Sequence, residues 1–296
     1  MSDCVLKPLV CTNPLAKLAK AAILVEFAND NNLEERGAEL KDKGYQLLSD
    51  MSHFGGDPHL PKDFVWPCCK YGEKEIVDRP LVFSAQFDLS ELAPFDVDNL
   101  LPHKGLLVFF TIGHMYYFTE VSDSSRVYYF EDIDSLELTP RPDEPPFEEE
   151  DDLERTKLPF HKVFAKASWS VPEEYSNIIC EQDFEEVLSP FGLTKEQIKD
   201  IDDNYEDYYK ELMDLDGFEE FDDVPSQLLG WGQYIQADLV ESDKEQLLFT
   251  LSSFFDEKAR DWVLCIGDAG AIYHTITLSD LKEQKFDNIT SEMDCY

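Results

Sequence analysis

The chain has 296 residues, 43% of them hydrophobic and 13% aromatic, and its 63 acidic and 25 basic residues give a formal net charge of −38. This composition predicts a globular protein with a sizeable core, and its negative charge argues against direct binding to nucleic acid or to an anionic membrane surface. Seven irregularly spaced cysteines and the lack of a secretory signal pattern predict reduced thiols and a cytoplasmic protein.

Two helices are predicted within residues 1–44, the N-terminal helical segment. Asn13 can cap the first helix and Pro14 suits its first position, so we expect it to run over residues 14–28. The second, over residues 31–44, is shorter and polar. The apolar positions that share one face of the first helix are Leu15, Leu18, Ala22 and Val25.

The residue pattern of the sequence changes at Tyr45. Short runs rich in Val, Phe and Tyr, broken by Gly, Pro, Asp and Ser, predict strands throughout residues 45–135 and again in residues 225–296. A further strand is expected within residues 161–172. The whole chain therefore predicts a mainly β, α+β fold with a roll-like or two-sheet core, and we expect one integrated domain.

Acidic stretches interrupt the predicted strands twice. Residues 136–160 form an acidic, proline-rich excursion, and residues 131–157 hold twelve acids and four prolines. Residues 173–224 form an acidic helical insertion, in which Thr194 and Gln197 have the spacing of a capping box. The apolar positions at helical spacing in the insertion are Ile198, Ile201, Tyr205, Tyr208 and Leu212.

The two β regions resemble each other, which predicts an internal duplication. A Gln-x-Asp-Leu motif occurs at residues 86–89 and again at residues 236–239. An apolar strand that begins with glycine follows each motif, at Gly105 and at Gly270.

Five residues are candidates for a binding site between the two β halves. Carboxylates at the ends of apolar runs can perform acid–base chemistry or can cap turns, and tryptophans beside glycine and proline can line a groove or cover a β core. Capping and packing are the commoner roles for such residues. The candidates are Trp66, Asp88, Trp231, Asp238 and Asp268.

The sequence indicates no cofactor and no metal site, and it contains none of the common catalytic signatures. A zinc site could be imagined from His53, His59, Cys68 and Cys69. Adjacent cysteines, however, lack the usual spacing of zinc ligands. We therefore predict no metal, and the balance of the motifs favours a protein without catalytic activity.

Several motifs together resemble the YwqG-like family, a group described as a domain of unknown function. The signature reads Gly-Gly-x-Pro-x-Leu-Pro at residues 55–61, followed by Trp66-Pro67. The strand that ends at residues 86–89 and the glycine-led strand at residues 105–110 continue the resemblance, and Ile266 stands where the family has a tryptophan. The resemblance implies a mainly β, roll-like fold with peripheral helices and no established reaction.

The charge and the lack of catalytic signatures predict an intracellular interaction module that engages a basic protein partner through its acidic surface. The resemblance implies that such a module is immunity-like. The alternative, from a different functional class, is a small-molecule-binding or hydrolytic enzyme with its site between the two β halves. A deep pocket with converging carboxylates between the halves would favour the enzyme, whereas a filled interior would argue against it.

Overall fold

Strands dominate the protein, which confirms the mainly β, α+β fold class. The computed structural model describes residues 6–71, 76–112, 123–143, 157–172, 188–221, 223–235, 244–256 and 260–296. The strands of this part of the chain are β1 (Lys20–Ala28), β2 (Gln46–Leu47), β3 (His53–Phe54), β4 (His59–Pro61), β5 (Cys68–Tyr71), β6 (Val77–Pro80), β7 (Val82–Asp88), β8 (Leu106–Thr111), β9 (Ser125–Phe130), β10 (Leu136–Leu138), β11 (His161–Ser170), β12 (Gln227–Leu229), β13 (Glu245–Ser252), β14 (Phe254–Asp256), β15 (Asp261–Leu264), β16 (Ala271–Thr277) and β17 (Ile289–Asp294). Its α-helices are α1 (Leu33–Asp42), α2 (Leu89–Leu92), α3 (Lys195–Met213) and α4 (Leu278–Lys282).

The helix predicted over residues 14–28 is wrong for most of its length. A 3-10 turn covers Pro14–Leu18, and the chain then enters strand β1, which pairs antiparallel with β11 along its whole length. Both faces of β1 are buried, with Ile23 in the main core and Leu24 in a second cluster under α1. A strand buried on both faces is a continuous apolar run, which fits a helical pattern equally well.

The strand β1 and its partner β11 form the centre of an eleven-stranded sheet. The strand order is β17-β16-β13-β12-β1-β11-β3-β7-β8-β9, and β2 also pairs with β11. A four-strand antiparallel series therefore extends from each side of the central pair, and the strands led by Gly105 and Gly270, β8 and β16, occupy equivalent places. In both series the glycine-led strand pairs with its inner neighbour through a bulge, between β7 and β8 in one and between β13 and β16 in the other. The second Gln-x-Asp-Leu motif of the proposed duplication, residues 236–239, lies outside the described residues.

The sheet curves until its outermost strands, β9 and β17, approach each other. The ring of Tyr129 in β9 lies 5.2 Å from that of Phe286, in the turn before β17. Aromatic side chains fill the interior of this nearly closed sheet, where the ring of Phe249 lies 5.2 Å from Phe87 and 4.7 Å from Phe109. Among the described residues, the space between the two β halves is thus packed core.

Helix α1 and helix α3 confirm two sequence predictions. The short polar helix of residues 31–44 is α1, and the capping box of the acidic insertion is present, with the Thr194 hydroxyl and the Gln197 side chain each bonding the other's backbone N–H. The predicted apolar face of α3 packs on the 3-10 turn of residues 14–18. The acidic insertion, as far as it is described, is therefore part of the folded core.

Several predicted features lie outside the described residues. These are residues 144–156 of the acidic excursion, residues 173–187 of the insertion, and Asp238. The beginning of the excursion is ordered as β10, which pairs with β4. Within the described ranges, no helix combines the length and the apolar character needed to cross a membrane.

Candidate functional site

Trp66 and Trp231, two of the predicted site residues, pack in different parts of the fold. The Trp66 indole donates to the Leu81 carbonyl at 2.9 Å and meets the Phe110 ring edge-on at 5.1 Å. The buried Trp231 indole donates to the Leu18 carbonyl at 2.6 Å, in the cluster beneath α3. Each ring covers apolar surface and satisfies its polar tip.

The predicted carboxylates do not converge with the tryptophans. Asp88 caps α2, accepting from the Ser90 backbone N–H at 2.9 Å and from the Ser90 hydroxyl at 2.7 Å. Asp268 is exposed in the loop between β15 and β16, and Asp238 lies outside the described residues. The four described candidates thus contact different elements of the fold, and a shared site for all five remains a prediction.

A different site lies where α1 faces the β14–β15 hairpin, and we call it the acidic pocket. It has a volume of about 660 Å³, within the range of sites that hold a small ligand or a side chain. Two aromatic rings, Phe255 and Trp262, lie on one side and pack edge to face at 5.2 Å. Five carboxylates line the pocket against a single guanidinium, that of Arg36: Glu26, Glu35, Glu39, Asp223 and Asp256.

β1 contributes one carboxylate, Glu26, to this pocket. It follows the apolar run of residues 21–25, and Arg36 of α1 donates to its Oε2 at 2.8 Å. Burial raises the pKa of Glu26, while the neighbouring guanidinium opposes the rise. The strand therefore holds a half-buried carboxylate for which burial outweighs the neighbouring guanidinium, so an additional cation would stabilise its charged form.

Two further features concern the polar lining. Asn29, just outside the lining, donates its amide to Asp256 Oδ2 at 2.8 Å, which holds that buried carboxylate in place. Ser252, only 6% exposed, also lines the pocket, and its hydroxyl has no hydrogen-bond partner among the described residues. A buried hydroxyl without a partner costs free energy unless a ligand or water supplies one.

Sequence reasoning missed this pocket because its lining comes from distant parts of the chain. Residues near positions 26, 36, 223 and 256 meet only through the order of strands in the sheet. One signal was present, since Glu26 is a lone carboxylate inside an apolar run that proves to be the central strand. No group of three or more His, Cys, Asp or Glu that could hold a metal ion occurs within the described ranges.

Comparison with known proteins identifies a family for most of the chain. Residues 52–295 match the family model described as Domain of unknown function (DUF1963). No curated protein matches the chain. The matched region begins just before the paired glycines of the signature and extends through β17.

Proposed function

We propose that this chain, which belongs to the DUF1963 family, is a non-enzymatic binding module that engages a basic protein through its acidic surface. The observation that supports the proposal best is the acidic pocket, where five carboxylates face one guanidinium beside two aromatic rings. Within the proposal, a lysine or arginine side chain of the partner enters this pocket.

Each class of group in the pocket suits a cationic side chain. Carboxylates attract the charge and form charge-assisted hydrogen bonds with ammonium or guanidinium donors. The faces of Phe255 and Trp262 add a cation–π contribution, worth about 0.5–1 kcal/mol at an exposed site. The unpartnered Ser252 hydroxyl can accept a further hydrogen bond.

The acidic face of α3 supports the same proposal at longer range. Its apolar side packs against the core, so the opposite side presents carboxylates to solvent along a helix that is kinked at Asn204. Ion pairs along the helix, among them Lys199–Asp203 and Lys210–Glu206, neutralise part of this charge. Fixed charge of one sign accelerates the approach of an oppositely charged partner and makes its binding sensitive to salt.

The packed interior argues against the alternative of an enzyme whose site lies between the two β halves. Phe87, Phe109 and Phe249 occupy that space. As part of the proposal we place the protein in the cytoplasm and in the YwqG-like group. Free thiols at Cys11, Cys68, Cys69 and Cys265 fit a reducing compartment, and the glycine-proline signature of residues 55–67 fits that group.

A charge-matched pair of variants tests the proposal. Fluorescence anisotropy would measure the binding of a dye-labelled lysine-rich peptide to the wild type, to Glu35→Gln/Asp223→Asn in the pocket, and to Asp134→Asn/Glu137→Gln elsewhere on the surface. All four positions are exposed, and each double variant removes two negative charges. We expect the pocket variant to bind about fivefold more weakly, roughly 1 kcal/mol, and the control to change far less. Equal losses in both variants would mean that only net charge matters.

A further inference from the structure

A second cleft lies beside the glycine-proline signature, and we call it the signature cleft. It is open, has a volume of about 730 Å³, and lies between the β3–β4 loop and residues 157–160. Its apolar walls include Leu138, Leu158, Pro159 and Phe160. Leu138 is 60% exposed and Phe160 is 38% exposed. The walls thus present apolar surface, including the ring of Phe160, to the interior of the cleft.

His53, at the start of β3, contributes an acceptor to the cleft. Its Nδ1 lies 2.8 Å from the Gly55 carbonyl oxygen, which can only accept, so Nδ1 carries the proton. Burial lowers the pKa of His53 to about 4, so the ring is neutral at pH 7 and Nε2 keeps its lone pair. None of the described residues donates a hydrogen bond to this nitrogen.

His59, at the start of β4, has the opposite tautomer. Gln86 Oε1 accepts from the His59 backbone N–H at 2.9 Å, and Gln86 Nε2 donates to the Met51 carbonyl at 2.7 Å, which together fix the orientation of the amide. The same Nε2 lies 3.0 Å from His59 Nδ1, which must therefore accept. The proton of the neutral His59 ring is on Nε2, and this N–H has no acceptor among the described residues.

The charged groups at the cleft are paired with one another. Lys157 Nζ lies 2.6 Å from Asp57 Oδ1, and Lys162 forms an ion pair with Asp50. Burial also lowers the pKa of His59. Besides these ion pairs, the two histidines supply one acceptor and one donor, and the cleft lacks the excess positive charge that would hold a phosphate or a carboxylate.

We propose that the signature cleft binds a neutral ligand that carries a carboxamide next to a flat apolar group. The carboxamide N–H donates to His53 Nε2, its carbonyl oxygen accepts from His59 Nε2–H, and the flat group lies on Phe160. The two histidine rings are 6.1 Å apart, centroid to centroid, and both line the cleft. This site is independent of the acidic pocket, and the proposal involves no covalent step.

Nuclear magnetic resonance with benzamide as the probe tests the proposal. Long-range ¹H–¹⁵N spectra of the wild type report the tautomer of each histidine directly, and we expect Nε2 of His53 and Nδ1 of His59 to be unprotonated. Benzamide should shift the signals of both rings at a Kd of about 1 mM. Benzoate lacks the donor and carries a charge, and acetophenone lacks the donor, so both should bind at least about tenfold more weakly.

Further arms of the experiment separate possible sources of the carboxamide and confirm the location. N-acetylglutamine methylamide stands for a glutamine side chain in a peptide, and its binding at the same rings would identify a peptide rather than an aromatic amide as the ligand. His59→Phe should lose benzamide binding, whereas His103→Phe, at an exposed position, should retain it. The proposal is overturned if either tautomer is reversed, if benzoate binds as well as benzamide, or if neither carboxamide probe shifts the two rings at about 10 mM.

Discussion

The hydroxyl of Ser125 and the imidazole of His274 join two strands from opposite series of the eleven-stranded sheet. Ser125 Oγ in β9 lies 2.8 Å from His274 Nε2 in β16, and His274 Nδ1 lies 3.1 Å from the Phe249 carbonyl oxygen. Because that carbonyl can only accept, the neutral ring carries its proton on Nδ1. The His274 Nε2 lone pair and the Phe110 carbonyl oxygen, 2.9 Å from Ser125 Oγ, therefore share the single hydroxyl proton of Ser125. The contact is fully buried, so it links the two ends of the sheet where they nearly close.

His274→Gln should reduce the sensitivity of the fold to acid. Burial lowers the pKa of His274 to about 4, whereas an unfolded histidine titrates near 6.5. Between these values the unfolded state binds more protons, so this group's contribution to stability is lost as the pH falls from 6.5 towards 4. Chemical denaturation would give the unfolding free energy of both proteins at pH 7 and pH 4. The variant's value minus that of wild type should be up to roughly 3 kcal/mol larger at pH 4 than at pH 7. The same pH dependence in both proteins would contradict this assignment.

Glu26→Gln should have the opposite dependence on pH. Because burial raises the pKa of Glu26 in the folded protein, its contribution to stability is present below the ordinary glutamate range and is lost as the pH rises through the folded value. Glutamine imitates the neutral form, so the stability of the variant relative to wild type should increase from pH 4 to pH 7. Glu35→Gln, at an exposed position on α1, is the control for the loss of one charge. A variant that becomes relatively less stable at pH 7 would show that the ion pair with Arg36 outweighs burial.

Gly55→Ala should destabilise the protein more than Gly56→Ala. Both glycines have positive φ, at 61° and 77°, which costs a residue with a side chain about 1–2 kcal/mol. A Cβ at Gly55 would also collide with the backbone oxygens of Leu158 and Pro159, whereas a Cβ at Gly56 would meet the Phe160 side chain at 3.2 Å. We expect the unfolding free energy to fall by more than about 3 kcal/mol in Gly55→Ala and by about 1 kcal/mol in Gly56→Ala. Equal, small losses would mean that the signature loop is not held against residues 158–160.

Ile201→Ala should show that the acidic helix α3 unfolds together with the rest of the domain. Ile201 is fully buried in the cluster shared with the 3-10 turn of residues 14–18. Its truncation should lower the free energy of global unfolding by about 2–4 kcal/mol. Val65→Ala, at a position that is 84% exposed, should change it by less than about 0.5 kcal/mol. A separate early transition for α3 in the Ile201 variant would contradict this account.

Local patterns in the sequence predicted much of the fold. The β texture, the capping box of Thr194 and Gln197, and the strand within residues 161–172 all depend on neighbours in the chain, and all are present. The prediction failed at residues 20–28 because burial of both faces removes the alternation that identifies a strand. That burial follows from the position of β1 beside β11 and β12, which only the sheet order reveals.

The acidic pocket could not be predicted from the sequence for the same reason. Glu26, Arg36 and Asp256 share no motif, and they meet because β1 brings α1 to the β14–β15 hairpin. The net charge indicated a cationic partner but gave no position for it. By contrast, the signature loop was recognisable because its glycines and prolines act locally on the backbone.

The most direct test of the proposed function is to locate a bound lysine side chain. Nuclear Overhauser contacts would be measured between the Cε protons of a lysine-rich peptide and the aromatic rings of the protein, at low ionic strength. The account predicts contacts to Phe255 and Trp262, and their loss in the Glu35→Gln/Asp223→Asn variant. Contacts confined to the outer face of α3, or a complex in which neither ring of the pocket contacts the peptide, would contradict it.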